Sequence, residues 1–213
     1  MITPEDNMTE VTAPVLVRKI QERAIGQSRI LVAIAGPPAS GKSTLAADLA
    51  RALGSTATVL PMDGFHLEND QLQDMGILHR KGAPETFDAR GFVTLLEKVR
   101  NESTVRFPTF DRKADRTVPN VGRIQENTQF VLVEGNYLLL DFPPWSALSD
   151  LFDLTVQLTV DHEELEARLI SRWLDHGLQP DDARARALGN DMKNVAFVET
   201  NSIAPDATLK PCV

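Results

Sequence analysis

A chain of 213 residues, 42% hydrophobic and 24% charged, is long enough to close one core and short for two domains. Its 30 acidic against 22 basic residues leave a formal net charge of −8, which argues against a nucleic-acid backbone as the main partner but not against a nucleotide, since a few cations can set the local field. The single cysteine, Cys212, excludes an internal disulfide; the acidic start Met1–Asp6 has no signal layout, and no apolar stretch nears the ~20 residues that span a bilayer, so a cytoplasmic protein without membrane insertion is expected.

In chain order, Thr12 stands where a helix cap belongs, with Pro14 in the first turn, Ala13, Val17, Ile20 and Ala24 on one face, and Gly26 as the stop. Ile30 to Ala35 is an unbroken apolar run, the mark of a strand buried on both faces. The next string, Gly36-Pro37-Pro38-Ala39-Ser40-Gly41-Lys42-Ser43, fits G-x-x-x-x-G-K-[ST], a phosphate-binding loop. Its glycines let backbone N–H groups turn inward on phosphate oxygens. Lys42 can reach the outer phosphates, and the Ser43 hydroxyl is a natural magnesium ligand. Leu45, Leu49 and Leu53 then share one helical face up to Gly54, and strand, loop, helix is the order that aims a helix N-terminus at an anion. Gly36, Ala39, Ser40, Gly41, Lys42, Ser43 and Thr44 are the expected nucleotide contacts.

Residues 57–60 read as a second strand, ending at Pro61-Met62-Asp63-Gly64, and residues 65–87 as short helices and loops. Asp88 is placed to cap a helix that buries Phe92, Leu95, Leu96 and Val99. Residues 104–110 and 116–124 pair as a hairpin outside the main sheet. Phe130 to Glu134, closed by Gly135, and residues 154–160 are further core strands. Asp161 then caps a long helix with Glu163 and Glu164 in its first turn, favourable against the dipole, and Gly177 ends it. Helical sequence resumes near Asp181, and residues 208–210 form a short last strand. Apolar strands alternating with helices imply a parallel sheet covered on both faces. We read one domain over residues 1–213, with residues 1–10 loose.

Several residues could carry chemistry. Asp63 follows a core strand, where a carboxylate beside bound phosphates could take the proton of an attacking hydroxyl and help hold magnesium; it reads equally as a turn aspartate before Gly64. Glu134 ends another core strand, a usual position for an acid near magnesium. Arg168 and Arg172 share a helical face and could close over the phosphates, or pair with Glu164 and Asp175 on a solvated surface. Lys81, in His79-Arg80-Lys81-Gly82, and Arg112 and Arg116 belong to two basic knots able to bind substrate or simply be solvated. His66 and Tyr137 stand near the two strand-end acids and could hydrogen-bond a polar substrate. No Asn-Lys-x-Asp string selects guanine, and Met192-Lys193-Asn194 is not one, which disfavours a regulatory nucleotide switch.

Taken together, residues 36–43, Met62-Asp63-Gly64-Phe65-His66, the run from Arg80 to Asp88, Pro108-Thr109-Phe110-Asp111 and Val133-Glu134-Gly135-Asn136 resemble the phosphate-loop kinases that include phosphoribulokinase, uridine kinase and type I pantothenate kinase. The resemblance runs from about residue 30 to 210 and is greatest to bacterial fructose transport-system kinases. It implies a three-layer α/β P-loop sandwich, a mostly parallel five-stranded sheet in the order 2-3-1-4-5, a small hairpin and a helical lid. It implies ATP as co-substrate, magnesium on Ser43, Glu134 and Asp63, and a small-molecule acceptor, with a homodimer as the further partner. Asp63 becomes the catalytic base beside Lys42, Arg168 and Arg172 lid residues, and Asp111 a sugar contact, with Phe65, His66, Lys81, Arg112, Arg116 and Tyr137 completing the acceptor side. Pantothenate and uridine kinases carry a tyrosine where this chain has Phe110, and each a histidine that it replaces, with Arg112 in one case and the Lys113-Ala114-Asp115 stretch in the other. The expected activity is phosphorylation of a hydroxyl on a polar metabolite, a sugar such as fructose; a nucleoside, a pantothenate-type acceptor or a non-catalytic regulator are the alternatives.

Overall fold

The computed structural model describes residues 9–211; Met1–Asp6 and Cys212 lie outside them. Its strands are β1 (Thr9–Glu10), β2 (Ile30–Ala35), β3 (Ala57–Pro61), β4 (Val105–Asp111), β5 (Arg116–Ile124), β6 (Phe130–Gly135), β7 (Leu154–Leu158) and β8 (Ala207–Leu209). The main sheet runs β3-β6-β2-β7-β8-β1, with every pairing parallel. Its five expected strands therefore hold the order 2-3-1-4-5. The sheet gains one strand beyond expectation, β1, which pairs Thr9 with Ala207 and Glu10 with Thr208. Two residues are too few to show a period.

Alternation along β2 divides the core. Ile30, Val32 and Ile34 pack with Leu16 and Ile20 of α1 (Ala13–Arg23) and Leu45 and Leu49 of α2 (Lys42–Leu53). Leu31, Ala33 and Ala35 face the opposite way, toward Phe92, Leu95, Leu96 and Val99 of α4 (Ala89–Asn101). Burying each large side chain contributes roughly 1.5–3 kcal/mol. This three-layer sandwich is the rigid frame that fixes the strand ends.

Caps follow expectation unevenly. The Asp88 carboxylate accepts from the Gly91 N–H at 2.9 Å and starts α4. Thr12 and Asp161 occupy cap positions, but neither side chain makes a cap hydrogen bond. Asp161 is drawn instead to Lys210 Nζ at 2.9 Å, because an ammonium partner competes well with a backbone N–H. Gly26 and Gly177 follow α1 and α5 (His162–Asp175) at positive φ.

Two additions convert the frame into a kinase-like body. The antiparallel β4–β5 hairpin shifts register between Phe107 and Thr109, where Pro108 has no N–H to give to the ladder. It lies directly on the turn that carries Asp63: a Cβ on Gly64 would run into the Pro108 carbonyl. Between them, residues 65–87 form short helical turns around α3 (Asn69–Asp74), as expected. At the other end, α5, α6 (Pro180–Arg186), a π-helical turn at Ala187–Asp191 and α7 (Met192–Asn201) build the helical lid. Leu165, Leu169, Ala187 and Val195 form its small core, packed against Ala39 of the phosphate loop. No helix among the described residues is long and apolar enough to cross a membrane.

Candidate active site

The loop between β2 and α2 wraps as its sequence requires. Gly41 sits at φ 93°, where side chains with a Cβ are strained, and begins α2. Lys42 is 7% exposed, and its Nζ donates to the Pro37 carbonyl at 2.8 Å, curling back over the loop. Burial pushes its ammonium down to about 8; Glu134 and Asp63 pull it back up. An anion at the loop would restore the charge. Ala39, Gly41, Lys42, Ser43 and Thr44 line a cavity of about 870 Å³. Gly36 and Ser40 do not: a Cβ on Gly36 would stand 2.8 Å from Ser40 Oγ and 3.1 Å from Leu158 Cβ, so this pair is packed into the base of the loop.

The strand ends bring the acids to the same cavity, as parallel sheets do. Ser43 Oγ donates to Glu134 Oε1 at 3.0 Å, and burial, then the charge of Asp63, raises the Glu134 carboxyl. Two hard oxygen donors at a phosphate loop suit magnesium, so the residues present fit that ion. Among the described residues no cluster of three or more histidine, cysteine or acidic side chains forms an all-protein metal cage. Asp63 lies in the helical turn after β3, with Oδ2 accepting from Arg112 at 2.8 Å. The Arg112 side chain is 53% exposed, so the ion pair is weak and free to exchange.

The same cavity is lined by His66, Lys81, Phe110, Arg112 and Asp115, the side expected to take the acceptor. The His66 ring lies between Phe87 and Phe110, with centroids 4.1 and 4.6 Å away. Burial lowers its pKa, so the imidazole is neutral near pH 7, and Nδ1, 2.8 Å from the Asp63 carbonyl, is the protonated nitrogen. Lys81 Nζ donates to Asn69 Oδ1 at 2.6 Å and Asp115 Oδ1 at 2.8 Å, and sits 5.1 Å from the Phe110 ring centre. That knot pins the hairpin tip to the 78–82 loop.

The lid contributes differently from the expectation. Arg172 lines the cavity; its Nε is buried without a hydrogen-bond partner, and burial, then the charge of Arg112, lowers its pKa. No ion pair joins it to Asp175. Arg168 stays outside the cavity, with Nε bonded to Glu164 at 2.7 Å and one terminal nitrogen 3.4 Å from the Ala39 carbonyl. It ties the lid to the loop rather than facing ligand.

Four residues expected on the acceptor side lie outside the cavity lining. Asp111 points into its own turn, accepting from Lys113 and Ala114 N–H groups at 2.9 and 3.1 Å, and lies outside the cavity. Arg116, its cross-strand neighbour, is exposed and also outside. Phe65 packs on Phe92 at 5.0 Å in the core. Tyr137 is fully buried, with burial raising its pKa, and its hydroxyl donates to the Gly82 carbonyl, so it supports the loop that lines the cavity.

Sequence reasoning passed over Gly82, Asn136, Trp173, Arg186, Asp191 and Asn194, all of which line the cavity. Trp173 Nε1 donates to the buried Asp191 carboxylate at 2.6 Å, and Arg186 stacks on the same indole at 5.2 Å. The one advance signal was Trp173 beside Arg172.

Known proteins of the same build can now be set beside this site. The model of the phosphoribulokinase/uridine kinase family matches residues 31–178. A "putative uridine kinase" of Schizosaccharomyces pombe is 36% identical over 197 residues, covering 86% of this chain and 84% of its own. The uncharacterized protein YggC of Escherichia coli is 36% identical over 182 residues, covering 83% and 75%. The crystal structure of a "putative fructose transport system kinase" from Silicibacter sp. TM1040 superposes with a TM-score of 0.89 at 43% identity, covering 93% of this chain and 98% of that one. A family match over more than half the chain, with relatives this alike across most of their length, leads to one conclusion: the chain belongs to the phosphoribulokinase/uridine kinase family of P-loop kinases.

Proposed function

We propose that this kinase transfers the terminal phosphoryl group of ATP to a hydroxyl of a small polar metabolite, a sugar such as fructose. One observation carries the reading: Lys42, Ser43, Glu134, Asp63 and Arg172 line a single cavity together with His66, Lys81, Phe110 and Arg112. The loop N–H groups and Lys42 hold the triphosphate. Bound magnesium supplies neutralisation of the phosphate charge, and the residues that would hold it are Ser43, Glu134 and Asp63. The acceptor oxygen attacks the terminal phosphorus, its proton passes to Asp63, the bond to the bridging oxygen breaks and ADP leaves. Arg112 releases Asp63 to the incoming hydroxyl, an exchange that its exposure makes inexpensive. Arg172 meets the charge of the moving phosphoryl group with a nitrogen already desolvated.

The Silicibacter relative named as a fructose transport system kinase supports the sugar reading. The aromatic lining supports a second one, since His66, Phe87 and Phe110 could stack a nucleoside base, and the S. pombe relative is named for uridine. ADP release with magnesium and ATP, measured over fructose, other sugars, uridine and pantothenate, separates the two. Asp63→Asn should lower kcat on the true acceptor by about 10²–10⁴-fold while ATP still binds. Turnover at the wild-type rate would remove Asp63 from the mechanism.

A further inference from the structure

Behind the acceptor end lies another hollow, of about 940 Å³, that no phosphate-loop residue and neither Asp63 nor Glu134 lines. Its apolar lining is aromatic: Phe87 and Trp145, buried and 6.2 Å apart between ring centres, and Phe142 edge-on to Phe197 at 5.7 Å. Its charge is unbalanced. Arg80, Arg90, Arg186 and Lys193 line it against Glu85 and Asp88. Glu85 is already paired with Arg80, and the Asp88 carboxylate caps α4. Arg90 and Lys193 are exposed and have no hydrogen-bond or ion-pair partner among the described residues, in a chain whose net charge is −8. Acids are plentiful in this chain, yet none answers these two cations.

A second observation comes from the wall that divides this hollow from the catalytic cavity, formed by Phe87, Arg186 and Asn194. Asn194 is 5% exposed and makes no side-chain hydrogen bond among the described residues, and its amide is not one of the fully buried unsatisfied groups, so it is open to a small polar partner. Arg186 is held otherwise: it donates to the His79 carbonyl at 3.0 Å and stacks on Trp173.

We propose that this hollow is a second ligand site, selective for an organic anion with an aromatic or apolar body. The rings would cover the body, Arg90 and Lys193 would draw the carboxylate or phosphate, and the Asn194 amide would hydrogen-bond to it.

The test is calorimetric titration of the full chain with phenyl phosphate and with phenylacetate, the catalytic cavity first saturated with magnesium and a non-hydrolysable ATP analogue. One saturable site is expected for at least one of the two anions. Benzyl alcohol and inorganic phosphate should each bind at least about tenfold more weakly, since each offers half of the recognition. Arg90→Glu combined with Lys193→Glu should weaken the anion about tenfold or more, leaving the melting temperature and ATP-analogue affinity as in wild type. If that reversal unfolds the chain, Lys193→Gln takes its place with a smaller loss expected. The proposal is overturned by absence of saturable binding, by affinity indifferent to the rim charges, or by binding abolished once the catalytic cavity is filled. Because the titration reads no turnover, its result stands apart from the kinase assay.

Discussion

At the loop end of the cavity, the contacts come from one short stretch, residues 38–44, between one strand and one helix. At the acceptor end they come from the turn after β3, the 78–82 loop, the hairpin tip and the lid, segments more than a hundred residues apart in places. The first is built largely from backbone, with Lys42 and Ser43 from the same short stretch, and needs glycines at the right spacing and a rigid strand behind them. The second is built mainly from side chains aimed by a partner, Lys81 by Asn69 and Asp115 and Trp173 by Asp191, on a loop whose Gly82 carbonyl is held by the Tyr137 hydroxyl. A fold can therefore keep the loop end constant while the acceptor end changes with any of those pairs.

The contrast is broken most strongly at the lid. Arg172 lines the cavity with a buried Nε that has no hydrogen-bond partner, its guanidinium 5.7 Å from the Trp173 ring centre. Arg172→Ala should reduce kcat by roughly 10²–10³-fold, the usual cost of losing one preorganised donor to a developing charge. The KM for ATP should change much less, because the loop and Lys42 hold the ground state. Steady-state kinetics on the true acceptor give both numbers. A change confined to KM would make Arg172 a binding residue only.

Lys81 sharpens the same contrast from the acceptor side. Replacing it by methionine leaves Asn69 and Asp115 only their mutual hydrogen bond, at 2.8 Å, and loosens the hairpin tip that carries Arg112. The acceptor KM of Lys81→Met should rise about tenfold with the ATP KM unchanged, since no loop residue depends on this knot. Equal increases in both constants would mean that the two ends of the cavity are mechanically one.

That division also explains what could be read in advance. The five main strands, their parallel sense and the phosphate loop are legible because periodicity and glycine spacing are local properties of the chain, whereas the strand order came with the family resemblance. Asp63 and Glu134 follow from strand ends, which a parallel sheet turns toward one crevice. Asp111 was expected at the sugar from the resemblance alone, which does not show that two backbone N–H groups claim it once the hairpin closes. Tyr137 and Phe65 stand two or three positions from strand-end acids, yet an aromatic residue at that spacing can still face the core. Asn194 and Asp191 gave no signal: a polar residue in a helix reads as surface until packing buries it.

The smallest effect tests the loop end by its protons. Free Lys42 titrates near pH 8, held down chiefly by burial. A triphosphate brings negative charge against the ammonium and raises that value. Between pH 8 and 9.5 the free protein is mostly neutral at Lys42 while the complex keeps the proton, so binding should take up about half to one proton there. At pH 6.5 the lysine is charged in both states and contributes nothing. Glu134 acts with the opposite sign at lower pH: its raised carboxyl gives up a proton when a cation joins the Ser43–Glu134 pair. Calorimetry of nucleotide binding in buffers of different ionisation enthalpy should therefore show net uptake in alkaline solution that fades, or turns to release, as the solution is acidified. A proton count that stays at zero from pH 6.5 to 9.5 would mean that Lys42 is solvated in the free protein, and that the loop opens before the nucleotide arrives.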